Sequence, residues 1–145
     1  MKRILVAYYS QSGQLKEIID SLLQPIEGIV VDYLAIDTIE GFPFPWTDEA
    51  FFGAFPESFF QIAQPLQPFE LPSDNYDLVI LGYQVWYLSP SIPINSFLRS
   101  EAGRKLLQDK PVITISGTRN IGLWRKRRLS CFWLIAGRIW WAILL

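Results

Sequence analysis

The segment "RILVAYYSQSGQLKEIIDSLL", residues 3–23, is the stretch that indicates the fold. It begins with an apolar and aromatic run, residues 3–9, of the kind found in a strand that is buried on both faces. The short polar stretch 10–14 comes next. Apolar residues then recur at helical spacing, at Leu15, Ile18, Ile19, Leu22 and Leu23. Residues 10–14 are therefore predicted to form a turn between a buried strand and a helix.

Further along the chain, strand and helix patterns continue to alternate. Residues 28–36 ("GIVVDYLAI"), 76–83 ("YDLVILGY") and 110–118 ("KPVITISGT") are predicted strands. Residues 94–108 ("INSFLRSEAGRKLLQ") are predicted to form a helix. Strands that alternate with helices imply βαβ units with right-handed crossovers. The predicted class is α/β, with a parallel sheet.

Residues 41–70 interrupt this alternation. The stretch "GFPFPWTDEAFFGAFPESFFQIAQPLQPFE" is rich in phenylalanine and proline and shows little periodicity. A loop of this length in a compact domain is either functional or disordered. Its eight phenylalanines argue against disorder. Two interpretations follow: an aromatic flap that packs over the sheet edge, or a lid over a flat aromatic ligand.

Three segments are expected at the edge of the sheet where ligands of open α/β proteins bind, beyond the carboxyl ends of the strands. Residues 10–14 offer two hydroxyls, a glycine able to adopt positive φ, and backbone N–H groups at a helix start, which together make an anion cradle. Residues 82–93 place Trp86 and Tyr87 on a proline-rich loop, where rings can stack on a planar ligand. Residues 117–120 add polar groups. Together they favour a nucleotide-like cofactor.

The stretches "ILVAYYSQSGQL", "DLVILGYQVWYLSPSIP" and "PVITISGTRN" resemble the flavodoxin-like family of FMN-binding proteins, over nearly all of residues 1–120. The motifs "YYSQSGQL", "FPFPW" and "SPSIP" resemble more closely a bacterial subgroup often labelled dialkylresorcinol condensing enzyme. The resemblance implies a flavodoxin-like, doubly wound parallel sheet of five strands in the order 2-1-3-4-5. It also implies FMN as cofactor, and a role in electron transfer or as a flavin-dependent oxidoreductase.

The resemblance also implies roles for individual residues. Ser10, Ser12 and Gly13 would hold the FMN phosphate, and Trp86 and Tyr87 would flank the isoalloxazine ring. The full set of expected cofactor-binding residues is Ser10, Gln11, Ser12, Gly13, Gln14, Leu15, Gln84, Trp86, Tyr87, Gly117, Thr118, Arg119 and Asn120. No catalytic residue and no metal ligand is predicted.

The sequence departs from the family pattern in two respects. Flavodoxins usually have Asn and Thr where this chain has Gln14 and Leu15, so one hydroxyl donor to the phosphate is missing. Carbon–carbon condensation of thioesters typically uses a cysteine supported by histidine, whereas this chain has no histidine and only Cys131. The condensing label therefore does not describe the mechanism.

A second hypothesis is a non-catalytic binding module, in which aromatic side chains fill the flavin site or cover a partner surface.

Charge is distributed unevenly along the chain. Residues 1–120 carry 8 Lys or Arg and 14 Asp or Glu, whereas residues 121–145 carry 5 basic residues, no acidic residue and four of the six tryptophans. This change marks a boundary between a flavodoxin-like domain, 1–120, and an aberrant tail, 121–145.

The expected partners are FMN and a redox protein, with no nucleic acid. The short N-terminal apolar run lacks a cleavage-like end, so a cytoplasmic location is expected.

The tail "RKRRLSCFWLIAGRIWWAILL", residues 125–145, has three interpretations. A membrane anchor would be short and would bury Arg138 at a cost of about 2.5–3.5 kcal/mol. An amphipathic helix does not fit, because Trp and Ile occur all round the helix. The third interpretation is a frameshift. One base inserted at the Ile121 codon can open another reading frame, which encodes "MWAMAQEKVKLFLADCGKNLVGNIA". This peptide has the pattern of a helix followed by the start of a strand. We therefore expect a non-functional version of an intact flavoprotein that lacks the fifth strand and last helix.

Overall fold

The computed structural model describes residues 1–117 and the backbone of a last strand, 141–144. The elements in chain order are β1 (Lys2–Tyr8), α1 (Gln14–Leu23), β2 (Ile29–Ala35), α2 (Asp48–Phe60), β3 (Leu78–Trp86), β4 (Ser89–Pro90), α3 (Ile92–Arg99), α4 (Glu101–Leu107), β5 (Val112–Gly117) and β6 (Trp141–Leu144). The sheet runs in the order β2-β1-β3-β5-β6, with every neighbouring pair parallel. The two-residue β4 pairs antiparallel with β3, off this path.

The predicted fold class is confirmed. When the short β4 is set aside, the strand order along the sheet is 2-1-3-4-5, as the flavodoxin-like resemblance implied. The order reverses between β1 and β3, which is the topological switch point of a doubly wound sheet.

The expectation that the fifth strand is lost is corrected. β6 pairs with β5 from Ile113↔Trp141 to Ser116↔Leu144 and occupies the fifth position. The physical reason is that the edge of β5 offers unpaired N–H and C=O groups to any extended apolar segment, and "WAIL" is such a segment. The rest of the tail, including the expected loss of the last helix, lies outside the described residues. No helix in the described part of the chain is both long and apolar enough to cross a membrane.

The sheet is covered by two hydrophobic cores. Along β1, Leu5 and Ala7 point into the larger core, which also contains residues of α2, α3 and α4. The alternate residues Ile4 and Val6 point to the other face, where they pack with Leu15 and others of α1. Full burial of such side chains stabilises the fold by about 1.5–3 kcal/mol each. The run of apolar residues in β1 is thus explained by burial on both faces.

The predicted helix 94–108 is divided in two. Ser100 adopts an extended conformation between α3 and α4. Its Oγ accepts a hydrogen bond from Gly103 N (3.0 Å) and donates one to Phe97 O (2.7 Å), so Ser100 caps α4. A Cβ atom on Gly103 would lie only 2.0 Å from Phe97 O. The close turn between the two helices therefore requires glycine at position 103.

Residues 41–70 contain a helix that the sequence pattern did not indicate. α2 begins at a cap, since Thr47 Oγ1 accepts a hydrogen bond from Ala50 N (3.1 Å). Only Ala54 and Ser58 of this helix are buried. Pro56 and the phenylalanines on several sides of the helix hide the usual apolar periodicity. The stretch is therefore a helix with flanking loops and not an irregular loop.

The 41–70 segment is tied to the body at its base. Ile39 N donates to Pro65 O (3.0 Å), and Gln67 N donates to Asp37 O (2.9 Å). These two backbone bonds bring the chain entering the segment next to the chain leaving it. The segment is consequently an insertion whose two ends are held together by hydrogen bonds, and it lies over the carboxyl side of the sheet.

Candidate functional site

The carboxyl ends of β1, β3 and β5 lie side by side. Tyr8 pairs with Gly82 between β1 and β3, and Gln84 pairs with Gly117 between β3 and β5. The loop 10–13 leaves β1 at this edge. The structure therefore brings together the first residues of all three segments that the sequence singled out.

The loop after β1 has the form of an anion cradle. Gly13 adopts φ +87° as the residue before α1, and its carbonyl accepts the bond from Glu17 N (3.1 Å) that starts the helix. Gln14 N donates to Ser12 Oγ at 3.5 Å. The Ser10 hydroxyl is buried and has no hydrogen-bond partner within the described residues. Because such a buried group costs about 1–3 kcal/mol when unpaired, Ser10 is suited to donate to an anion at this helix N-terminus.

Two glutamines link the site loops to each other. Gln84 Oε1 accepts a hydrogen bond from Gln11 N (3.4 Å), and Gln11 Nε2 donates to Pro43 O (2.8 Å). The loop after β1 thus touches both β3 and the 41–70 segment. No local pattern indicates the Gln11–Pro43 contact, since the residues are 32 positions apart.

The Leu15 side chain lies in the core and not at this edge. Its side chain is 3% exposed and packs in the core between α1 and the sheet. The close fit is shown by Gly82, where an added Cβ atom would lie 2.6 Å from Ile19 Cδ1 and 3.6 Å from Leu15 Cδ2. Leucine has no hydrogen-bonding side chain, so only the N–H of Leu15 could reach a ligand here.

Trp86 is almost completely covered by other aromatic rings. Its side chain is 8% exposed. Its ring centroid lies 5.5 Å from that of Tyr9 and 5.0 Å from those of Phe42 and Trp46, all edge-on. Stacking of Trp86 on a ligand stays a prediction, and it would require Phe42 or Trp46 to move away from the indole.

Tyr87 and Leu88 form a two-residue turn between β3 and β4. Both have positive φ, +45° and +67°. Such turns usually carry glycine or asparagine, and strained residues of this kind tend to cluster at functional sites. The Tyr87 ring lies 5.2 Å from Phe51 and 4.9 Å from Phe55, and its hydroxyl donates to Phe51 O. Contact between this turn and α2 is a feature that the sequence did not predict.

The tyrosines near the site are neutral hydrogen-bonding groups. Burial raises the pKa of Tyr83 to about 12. Burial also raises the pKa of Tyr9, and the nearby charge of Asp37 acts in the same direction. Burial raises the pKa of Tyr87 as well. These phenols therefore carry no negative charge at neutral pH and do not repel an anionic ligand.

The third predicted segment is described only at its first residue. Gly117 ends β5, and Thr118, Arg119 and Asn120 lie outside the described residues. Among residues 1–117 and 141–144, no cluster of three or more His, Cys, Asp or Glu side chains is arranged to hold a metal ion.

Comparison with known proteins identifies relatives through structure only. No protein-family model matches the chain, and no curated protein matches it either. A flavoprotein from Lactobacillus acidophilus, solved in complex with FMN, is similar with a TM-score of 0.74 and 19% identity, covering 99% of this chain and 93% of that one. A Bacteroides uniformis protein classed as a flavoprotein gives 0.76 and 18%, covering 99% and 90%. An archaeal flavodoxin gives 0.52 and 14%, covering 99% and 83%.

The fold is flavodoxin-like. These similarities extend over nearly the whole chain, and they agree with the strand order of the sheet. At identities below 20% they establish the fold, while function has to be argued from the site itself.

Proposed function

We propose that the intact form of this protein binds FMN at the carboxyl edge of β1, β3 and β5, and that it serves in electron transfer or as a flavin-dependent oxidoreductase. The observation that carries the proposal is the loop after β1, where the Ser10 hydroxyl is buried without a partner among the described residues and Gly13 precedes the N-terminus of α1. The flavodoxin-like neighbour in complex with FMN supports it. Bound FMN would supply the electron or hydride chemistry.

The chain's own groups would bind and orient the cofactor. Ser10, Ser12 and the N–H groups at the start of α1 suit a phosphate, because the helix dipole and unpaired donors both favour negative charge. Gln84 carries an amide near the carboxyl end of β3, and Tyr87 follows that strand. A redox partner and a cytoplasmic location belong to the same proposal.

Replacement of the two serines tests the phosphate assignment. Ser10→Ala and Ser12→Ala are each expected to weaken FMN binding about tenfold, because a hydrogen bond to a charged group contributes about 1.5–3 kcal/mol. Flavin fluorescence quenching measures the affinity. Ser21→Ala is the matched control, since this exposed α1 hydroxyl donates only to Glu17 O. If the protein with the restored reading frame purifies colourless and gives no flavin spectrum after incubation with FMN, the proposal is wrong.

A non-catalytic binding module is the second candidate. Two observations favour it: the buried Leu15 side chain leaves the phosphate loop one hydroxyl short, and Phe42 and Trp46 already cover Trp86. In this interpretation aromatic residues of the 41–70 segment take the place of the flavin ring. Calorimetry on the protein with the restored reading frame separates the candidates, since FMN binding with micromolar or tighter affinity is incompatible with a lost cofactor site.

We also infer that residues 121–145 are a frameshifted extension of a flavodoxin-like domain that comprises residues 1–120. The support is the change from an acidic body to a basic, tryptophan-rich tail. In this interpretation the intact protein resembles the subgroup labelled dialkylresorcinol condensing enzyme, although the absence of histidine from the sequence argues against condensation chemistry. A membrane-anchored flavoprotein is the alternative if the tail is genuine.

A further inference from the structure

One surface of α2 is unusually aromatic and unusually exposed. The exposed fraction is 43% for Phe51, 71% for Phe52, 47% for Phe55 and 70% for Phe60. Single exposed apolar side chains are normal, whereas a contiguous group of them marks a ligand groove or an interface. Phe51 contacts Phe52, and Tyr87 links Phe51 to Phe55. Phe59 links Phe55 to Phe60, so the rings form one continuous series.

The part of this surface nearest the proposed FMN site contains Phe51, Phe55 and Tyr87, which we name the Tyr87 subsite. Phe51 and Phe55 are four residues apart and share one side of α2. The Tyr87 ring contacts both, at 5.2 and 4.9 Å. Phe51 also contacts Trp46, whose ring contacts Trp86 at the end of β3. The subsite is therefore continuous with the carboxyl edge of the sheet.

The charges around the subsite restrict what can occupy it. Residues 41–70 contain no Lys or Arg. Asp48 and Glu49 lie in the first turn of α2, where they complement the helix dipole, and Glu57 accepts a hydrogen bond from Gln64 Nε2. These carboxylates would repel an anionic membrane or an anionic small molecule. A second copy of the chain would bring the same carboxylates opposite one another, which disfavours self-association through this surface.

We propose that the Tyr87 subsite binds a small, uncharged, ring-containing molecule. This subsite would be the substrate-binding part of the proposed FMN site. Its role as a substrate site rests on the proposed function, whereas the binding itself does not. Ring faces and edges of Phe51, Phe55 and Tyr87 would contact such a molecule, and an uncharged ligand loses no ionic hydration when it enters.

Two probes with the same ring system, one uncharged and one anionic, test the proposal. 2-Naphthol is uncharged at neutral pH, and naphthalene-2-sulfonate carries the same ring system with a negative charge. Titration of each probe into the full chain, followed by calorimetry and ligand-detected NMR, gives the two affinities. We expect 2-naphthol to bind at least about tenfold more tightly, corresponding to about 1.4 kcal/mol. Equal or tighter binding of the sulfonate would overturn the proposal.

Two phenylalanines of the same helix provide a matched pair of variants. Phe55→Ala removes a ring of the subsite and is expected to weaken 2-naphthol binding about fivefold. Phe60→Ala removes a more exposed ring that does not contact Tyr87 and is expected to leave binding unchanged. Should Phe55→Ala fail to fold, Phe55→Leu keeps an apolar side chain and is expected to weaken binding by about half as much. Equal affinities for all variants would contradict the assignment.

Other occupants give different results. If the surface is an interface between copies of this chain, size-exclusion chromatography will show a dimer that Phe55→Ala dissociates. In that case 2-naphthol will not bind the dimer, and it will bind the monomer weakly or not at all. That outcome overturns the proposal. The FMN titration is run separately, on the protein with the restored reading frame. Loss of FMN binding with retained 2-naphthol selectivity would reject the proposed function alone, and the reverse would reject the subsite alone.

Discussion

At the residue scale, one ion pair between β1 and β2 makes stability depend on pH. Arg3 Nε lies 2.7 Å from Asp32 Oδ2, with both side chains only partly exposed. The hydrogen bond from Arg3 lowers the pKa of Asp32, against the opposing effect of burial. The folded state therefore holds the carboxylate ionised at pH values where the unfolded chain, with a pKa of about 3.9, has begun to bind protons. Stability from this pair is present above that value and is lost as the pH falls through the folded pKa.

Asp32→Asn is expected to lower the free energy of unfolding at neutral pH and to flatten its decline below about pH 4. Because the pair is partly exposed, the effect at neutral pH should be modest and should shrink in high salt. Urea denaturation at several pH values measures it. Asp74→Asn, at an exposed loop position, is the control. The same pH dependence in both variants would show that Asp32 does not contribute in this way.

At the element scale, local sequence predicted the strands well and the helices less well. β1 and α1 could be predicted because the apolar run and the helical spacing lie within a few residues of each other. The break between α3 and α4 depends on contacts among Phe97, Ser100 and Gly103, inside a stretch whose apolar spacing is continuous. α2 was missed because Pro56 and outward phenylalanines do not follow an amphipathic pattern.

The candidate site shows the same division between local and long-range information. The carboxyl ends of parallel strands share one edge, so the positions of Ser10, Gln84 and Gly117 could be predicted from the strand pattern. The covering of Trp86 could not be predicted, because Phe42 and Trp46 reach it from a segment about 40 residues earlier in the chain. Long-range aromatic packing leaves no local signal.

Gly103→Ala is expected to destabilise the protein strongly. The added Cβ atom would lie 2.0 Å from the Phe97 carbonyl oxygen, so the backbone between α3 and α4 has to shift. Overpacking typically costs about 1–3 kcal/mol, and more where backbone moves. Thermal denaturation measures the change. Gly53→Ala in α2 is the control, because nothing lies within 4 Å of its Cβ position. It should instead stabilise the helix by up to about 1 kcal/mol.

The turn between β3 and β4 carries strain that a single substitution should relieve. Leu88 adopts φ +67°, which costs most residues about 1–2 kcal/mol relative to glycine. Leu88→Gly is therefore expected to raise the free energy of unfolding by about 0.5–1 kcal/mol, since added freedom of the unfolded chain offsets part of the gain. Leu88→Ala, which keeps the strain and removes side-chain contacts, is the control. A lower stability for Leu88→Gly than for Leu88→Ala in urea denaturation would contradict this.

At the scale of the whole molecule, the sheet ends in a strand that two different reading frames could supply. β6 spans residues 141–144 in the given frame. In the alternative frame, "NLVGNIA" falls on positions 139–145 and is also suited to a strand. A fifth strand beside β5 is thus compatible with both, and the segment between the strands is what distinguishes them. In the given frame residues 121–140 carry five basic residues and no acidic one. The alternative frame has an amphipathic helix pattern there.

Sequencing of the gene around the Ile121 codon decides between the frames. We expect a single-base insertion there to open a frame encoding an amphipathic helix and a strand. The restored protein should be more soluble, should unfold cooperatively and should bind FMN. The given chain should be prone to aggregation, because the sequence of residues 121–140 lacks the polar-outside pattern that specifies one packing. Its FMN affinity should be poor for the same reason. Circular dichroism melts and size-exclusion chromatography compare the two proteins. A soluble, monomeric given chain with a cooperative melt would contradict the instability, and a gene without such a frame would reject the frameshift.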